Sequence, residues 1–102
     1  MAHKIGYNIN SAVVHYIGYG SENWPRESVA RLVEHFGTAE AAIYAPMVQN
    51  ILKTLNDIPI DWSKNSLIEG TQSACKQMKN LYPELNQEAL TALEWAYSWW
   101  WK

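Results

Sequence analysis

The sequence predicts an all-α fold: a single helical domain over residues 1–102, arranged as a compact orthogonal bundle of about five or six helices. Three observations carry that prediction. Apolar residues recur at i, i+3, i+4 and i+7 through most of the chain, as they do in helices with one buried face. Residues that cap or stop helices stand at the ends of those stretches. The length, 102 residues, suits one domain, which buries roughly 60–70% of the surface its unfolded chain exposes.

Residues 1–20 admit two readings. Asn10 suits the N-cap of a short helix over 11–18, with Ile9 and Val14 spaced as a hydrophobic staple. The same β-branched and aromatic residues around Asn8–Ser11 also suit a small hairpin; helix is the favoured of the two. Gly18 and Gly20 then end the element. Pro25 marks the first turn of the next helix, with Trp24 at its boundary. Its stripe is Val29, Leu32, Val33 and Phe36, a Glu27–Arg31 pair lies on the outer face, and Gly37 is the C′ residue. Thr38 caps the third helical stretch. Pro46 either kinks one long helix or starts a second, while Ile43, Tyr44, Met47, Val48, Ile51, Leu52 and Leu55 hold one face across it.

Residues 56–62 form a connector, because Pro59 pushes Ile58 into extended geometry. Ser63 is the expected cap of the next helix, whose buried group is Leu67, Ile68, Thr71, Ala74, Cys75, Met78, Leu81 and Tyr82. Gly70 sits at the edge of that group, where another helix would approach closely. Pro83 ends the helix. Asn86 caps the last one, with Leu85 and Leu90 as its staple and Glu88 favoured in the first turn by the helix dipole.

That last helix has two apolar faces. Ala89, Leu90, Leu93, Ala96, Tyr97, Trp100 and Trp101 fall on one. Trp95 and Trp99 fall opposite, with Glu88 and Ala92, and Thr91, Glu94 and Ser98 lie between. A surface helix needs only one apolar stripe. Either this helix is a central post, or its second face meets a partner.

Composition narrows the function. Six tryptophans and six tyrosines against one phenylalanine favour half-wet settings and interfaces. The net charge is −2 and the charges are scattered, so no phosphate-tracking surface and no direct nucleic-acid contact is expected; Lys64, Lys76 and Lys79 read as a solvated face. Cys75 is the single cysteine, which fits a reducing compartment and reads as a buried, inert thiol. Neither a signal peptide nor a membrane span is expected, which points to the cytoplasm.

No catalytic constellation emerges. His3, His15 and His35 lack metal-binding spacing, and Asp57 and Asp61, four apart across Pro59, do not match a calcium loop. No metal, no cofactor and no enzymatic activity is expected, although His15, His35 and Glu34 are the groups an enzyme would use. Asp57 and Asp61 read as a helix-terminal carboxylate and a cap, or as an acidic knuckle beside Trp62 that meets a basic partner.

In size and character along the whole chain — small, helical, mildly acidic, rich in Trp and Tyr, without catalytic groups — the protein resembles the immunity proteins of bacterial contact-dependent growth inhibition and related toxin systems. The resemblance implies a cytoplasmic inhibitor that occludes the active site of a cognate toxin, commonly a nuclease. Nuclease clefts are basic, so acidic side chains beside aromatic anchors are the expected contacts: Asp57, Asp61, Trp62, Glu88, Glu94, Trp95 and Trp99. The protein would be a monomer or a weak dimer. The alternative is a homodimeric adaptor, or a phage-type regulatory module, closed over Trp95 and Trp99.

Overall fold

A computed structural model describes residues 2–101, with side chains described from Asn8 onward. Its elements are α1 (Ala2–Ile17), α2 (Val29–Phe36), α3 (Thr38–Asp57), α4 (Leu67–Leu81) and α5 (Gln87–Trp101), with no strand among the described residues. The all-α bundle predicted from sequence is the observed architecture. α3 packs on all four other helices, α5 on α1, α3 and α4, and α1 on α2, α3 and α5. One core joins Ile9, Val13 and Ile17 of α1, Leu32 of α2, Val48 and Leu55 of α3, Met78 of α4, and Leu93 and Tyr97 of α5.

The N-terminal segment is helix rather than hairpin, and longer than the predicted 11–18. Ile9, Ala12, Val13, Tyr16 and Ile17 are buried at helical spacing, so burial against neighbouring helices outweighs local β-propensity. Asn10, expected as a cap, lies inside α1. Its Nδ2 donates to the Glu84 carbonyl at 3.0 Å, and its Oδ1 accepts from the Asn86 N–H at 2.7 Å. One amide thereby fastens α1 to the loop before α5.

The end of α1 explains where α2 begins. The carbonyls of the last turn of a helix need donors from outside it. Here Tyr16 accepts from the Ser28 N–H and Ile17 from that of Arg26. Arg31 of α2 supplies the rest: Nε donates to the His15 carbonyl at 2.8 Å, Nη2 to that of Tyr16 at 3.1 Å, and Nη1 to the Glu22 carboxylate at 3.1 Å. Residues 25–28 therefore run back over α1, and α2 starts at Val29 with Ser28 as its cap, not at Pro25. Nor does Arg31 pair with Glu27. That carboxylate instead accepts from the Tyr16 hydroxyl at 3.1 Å.

Gly37 is the predicted C′ residue, at φ 88 with its N–H on the Val33 carbonyl, a conformation that glycine adopts without a Cβ clash. Thr38 is already helical, not a cap, and α3 continues through Pro46 as a single helix. The donor that proline lacks would serve the Ala42 carbonyl; both residues are exposed, where water can replace it.

The Asp61 carboxylate accepts from the N–H of Ser63 at 3.0 Å and from its hydroxyl, and the Asp61 carbonyl accepts from the Asn65 amide at 2.9 Å. This closed turn holds residues 61–65 outside the helix. α4 is capped by Ser66 rather than Ser63, in a reciprocal box with Glu69. Val29, Val33, Ile43, Ile68 and Leu81, placed on core stripes by spacing, are exposed. In so small a bundle a helix's apolar stripe is wider than the strip its neighbours cover.

Gly70 admits the connector, not another helix. A Cβ there would lie 2.4 Å from Cζ3 and 2.6 Å from Cη2 of Trp62, and 3.1 Å from Cγ2 of Ile60. Gly70→Ala gains ~1 kcal/mol of helix propensity but evicts the indole, and a net loss of about 1–2 kcal/mol is expected. In a Trp62→Ala background the same change becomes stabilising. Urea unfolding of the four variants checks this; the same sign in both backgrounds would remove the steric explanation.

Candidate docking surface

α5 starts as predicted, with the Asn86 Oδ1 accepting from the Ala89 N–H at 2.9 Å. Its buried residues are Ala89, Ala92, Leu93, Ala96 and Tyr97. Ala92, expected on the outer face, is fully buried, whereas Trp100 and Trp101, expected on the inner one, are 36% and 45% exposed in the last turn. Three alanines let neighbouring backbones close over this sector, which turns it away from the bulky indoles. Trp95 is left at its edge, half-buried and packed on the core, and Trp99 is 40% exposed.

Trp95 walls a groove between α4 and α5. Tyr19, from the loop after α1, meets it edge to face with ring centroids 5.5 Å apart. Ile68, Thr71 and Gln72 of α4 and Thr91, Glu94 and Ser98 of α5 complete a hollow of about 360 Å³. Ile68 is 70% exposed. Thr71 is buried, and its hydroxyl has no hydrogen-bond partner among the described residues. No cation of the described residues forms an ion pair with the half-buried Glu94. Cys75 senses that charge: burial first, and then Glu94, pushes its thiol pKa up to about 12. At neutral pH the thiol is protonated and inert.

The seven site residues predicted from sequence fall in three places. Glu94 and Trp95 share the groove, with Trp99 one turn beyond Trp95. Glu88 is exposed at the start of α5, where its charge acts on His15 of α1. Asp57, Asp61 and Trp62 belong to the connector and its flank. Asp57 pairs with Lys53 at 2.8 Å, and Asp61 holds its own turn. Trp62 stacks near Tyr97 at 6.3 Å and Trp101 at 5.9 Å, and the Trp101 Nε1–H donates to Asn56 at 2.9 Å. Trp62 is thus a lid on the core, still 37% exposed. Sequence reasoning missed Tyr19, Ile68 and Thr71 as groove residues: Tyr19 follows a segment of ambiguous structure, and the other two read as ordinary core on their helical stripe.

A second hollow, of about 430 Å³, is lined by the polar residues His15, Ser21, Glu22, Arg31, Glu34 and His35. It gathers the groups an enzyme would use. The imidazoles of His15 and His35 stack at 3.8 Å, and Arg31 is committed to the end of α1. The His35 Nε2 lies 3.4 Å from the Ser11 hydroxyl, at the long end of hydrogen-bond range. Among the described residues no group of three His, Cys, Asp or Glu side chains is placed to hold a metal ion.

Burial, then His35, holds the His15 pKa below its ordinary 6.5; Glu88 opposes this and Arg31 adds to it. The unfolded chain therefore binds the proton more readily than the folded one. The stability this contributes is complete above pH 6.5 and lost as pH falls through the folded value. Unfolding midpoints measured between pH 8 and 5 should fall on the acid side, and His15→Gln should flatten that fall. An unchanged profile in His15→Gln would assign the acid sensitivity elsewhere.

No family model, curated protein or solved structure matches this chain. Among the described residues no helix is long and apolar enough to cross a membrane.

Proposed function

We propose that this chain is a small helical inhibitor that docks a basic protein partner through the groove between α4 and α5, rather than an enzyme. Within that class the best fit is a cytoplasmic bacterial immunity protein that neutralises a cognate toxin, such as a nuclease, by covering its active site. The observation that carries the reading is Glu94, a half-buried carboxylate with no ion-pair partner among the described residues, beside the aromatic wall of Trp95 and Tyr19. An acidic group next to a rigid aromatic anchor suits a basic surface, which it attracts and then holds. Trp99 and Ile68 add exposed apolar area along the same side.

The test is affinity capture from native lysate with the wild type and with Trp95→Ala/Glu94→Gln, matched for folding by near-ultraviolet circular dichroism. Inhibition of the captured partner's activity is then measured with both proteins purified. Stoichiometric capture and inhibition, both lost in the double variant, are expected. A captured partner that is inhibited equally well by the variant would move the docking site elsewhere. The second reading, a homodimer closed over the tryptophan face, rests on the exposure of Trp99, Trp100 and Trp101. It predicts a sedimentation coefficient that rises with concentration in the absence of any partner.

A further inference from the structure

We infer that the groove is a receptor for a single guanidinium group, an arginine side chain presented by the docking partner. The inference rests on the docking reading and specifies its chemistry. An arginine combines a planar cation that stacks on aromatic faces, a fork that matches a carboxylate, and an apolar stem. The groove offers a counterpart for each. Trp95 and Tyr19 form the aromatic wall, with centroids 5.5 Å apart and planes inclined at 60°. Glu94 is the carboxylate, and Ile68 gives the stem an apolar rim. Thr71 has a hydroxyl with no partner among the described residues, so a donor that reached it would make a hydrogen bond it now lacks.

Among the described residues no cation pairs with Glu94. Lys79 donates to the carbonyls of Pro83 at 2.8 Å and Leu85 at 2.6 Å. Lys76 lines an adjoining hollow of about 250 Å³ that also includes Glu94, but forms no ion pair with it. Among the described residues, Lys76 is thus the internal competitor for the carboxylate.

The probe is the tripeptide amide acetyl-Gly-Arg-Gly, titrated into the ¹⁵N-labelled protein. Its citrulline counterpart, of the same shape without the charge, and its lysine counterpart serve as comparisons. Saturating shifts centred on the Trp95 indole N–H, Tyr19 and Thr71 are expected. The citrulline peptide should bind about tenfold more weakly, and the lysine peptide more weakly than arginine. Glu94→Gln, with an unchanged melting temperature, should weaken the arginine peptide by about tenfold, and Lys76→Gln should tighten it. Equal binding of arginine and citrulline, shifts confined to Asp57 and Asp61, or no saturable shift would each overturn the inference. Lysine binding as tightly as arginine would overturn the guanidinium assignment. A partner captured through Trp95 but indifferent to Glu94→Gln would overturn it, together with the basic character of the partner, and leave only docking at the aromatic wall standing. A peptide profile as expected, in a protein that inhibits no partner, would support the receptor and remove the inhibitor.

Discussion

Arg31→Met lowers the free energy of unfolding by about 3 kcal/mol, the largest loss expected from any single charged residue here. Methionine keeps most of the stem and removes the guanidinium, whose side chain is only 16% exposed. Three groups lose a donor together: the His15 carbonyl, the Glu22 carboxylate, and the Tyr16 carbonyl, which keeps the Ser28 N–H. The Arg26 carbonyl, which also accepts from Arg31, is a fourth. Arg31→Lys should recover only part of the loss, since an ammonium cannot span contacts that a planar fork reaches at once. Urea titration at constant m-value provides the measurement. A loss below about 1 kcal/mol would mean that water replaces the guanidinium at the end of α1.

Tyr97 should divide into a costly ring and a dispensable hydroxyl. The side chain is fully buried, with Trp62 6.3 Å and Trp101 5.7 Å from its centroid. Tyr97→Ala leaves a cavity and removes the surface on which both tryptophans rest, so a cost of about 3–5 kcal/mol is expected. The hydroxyl is buried with no hydrogen-bond partner among the described residues, and burial, followed by Cys75, raises its pKa. A polar group buried without a partner is a cost to the fold. Tyr97→Phe should accordingly be neutral or stabilise by up to ~1 kcal/mol. If Tyr97→Phe instead loses more than that, a bound water satisfies the hydroxyl, and the ring alone does not account for the residue.

The helices were legible in the sequence where one residue type decides the geometry. Gly37 ends α2, and Asn86 caps α5, because those roles need only local chemistry. The start of α2 was not legible. Pro25 is a sound first-turn residue, but whether residues 25–28 coil depends on the carbonyls of α1, sixteen positions upstream for Arg31 and His15. Ser66 and Glu69 do carry a local capping-box pattern, and the competing Ser63 is explained only by the turn that Asp61 closes. For the candidate site, Trp95 and Glu94 could be named from the double-faced helix. Their neighbours Tyr19 and Thr71 could not, because they reach the groove through tertiary packing. Asp57 and Asp61 show the converse: both carboxylates are visible in sequence, and both have partners within the chain.

The bond between Asn10 and the loop at Glu84 and Asn86 has a consequence for the order of events during synthesis. These partners are 74 and 76 positions apart, so α1 leaves the ribosome long before the segment that completes it. α2 and α3 come soon after and can cover part of its apolar stripe as they emerge. The side facing α5 must wait in solvent until almost the whole domain has been made. A nascent chain is therefore sticky along the uncovered side of α1 for most of its elongation, and any chaperone that attends it would be expected to hold α1.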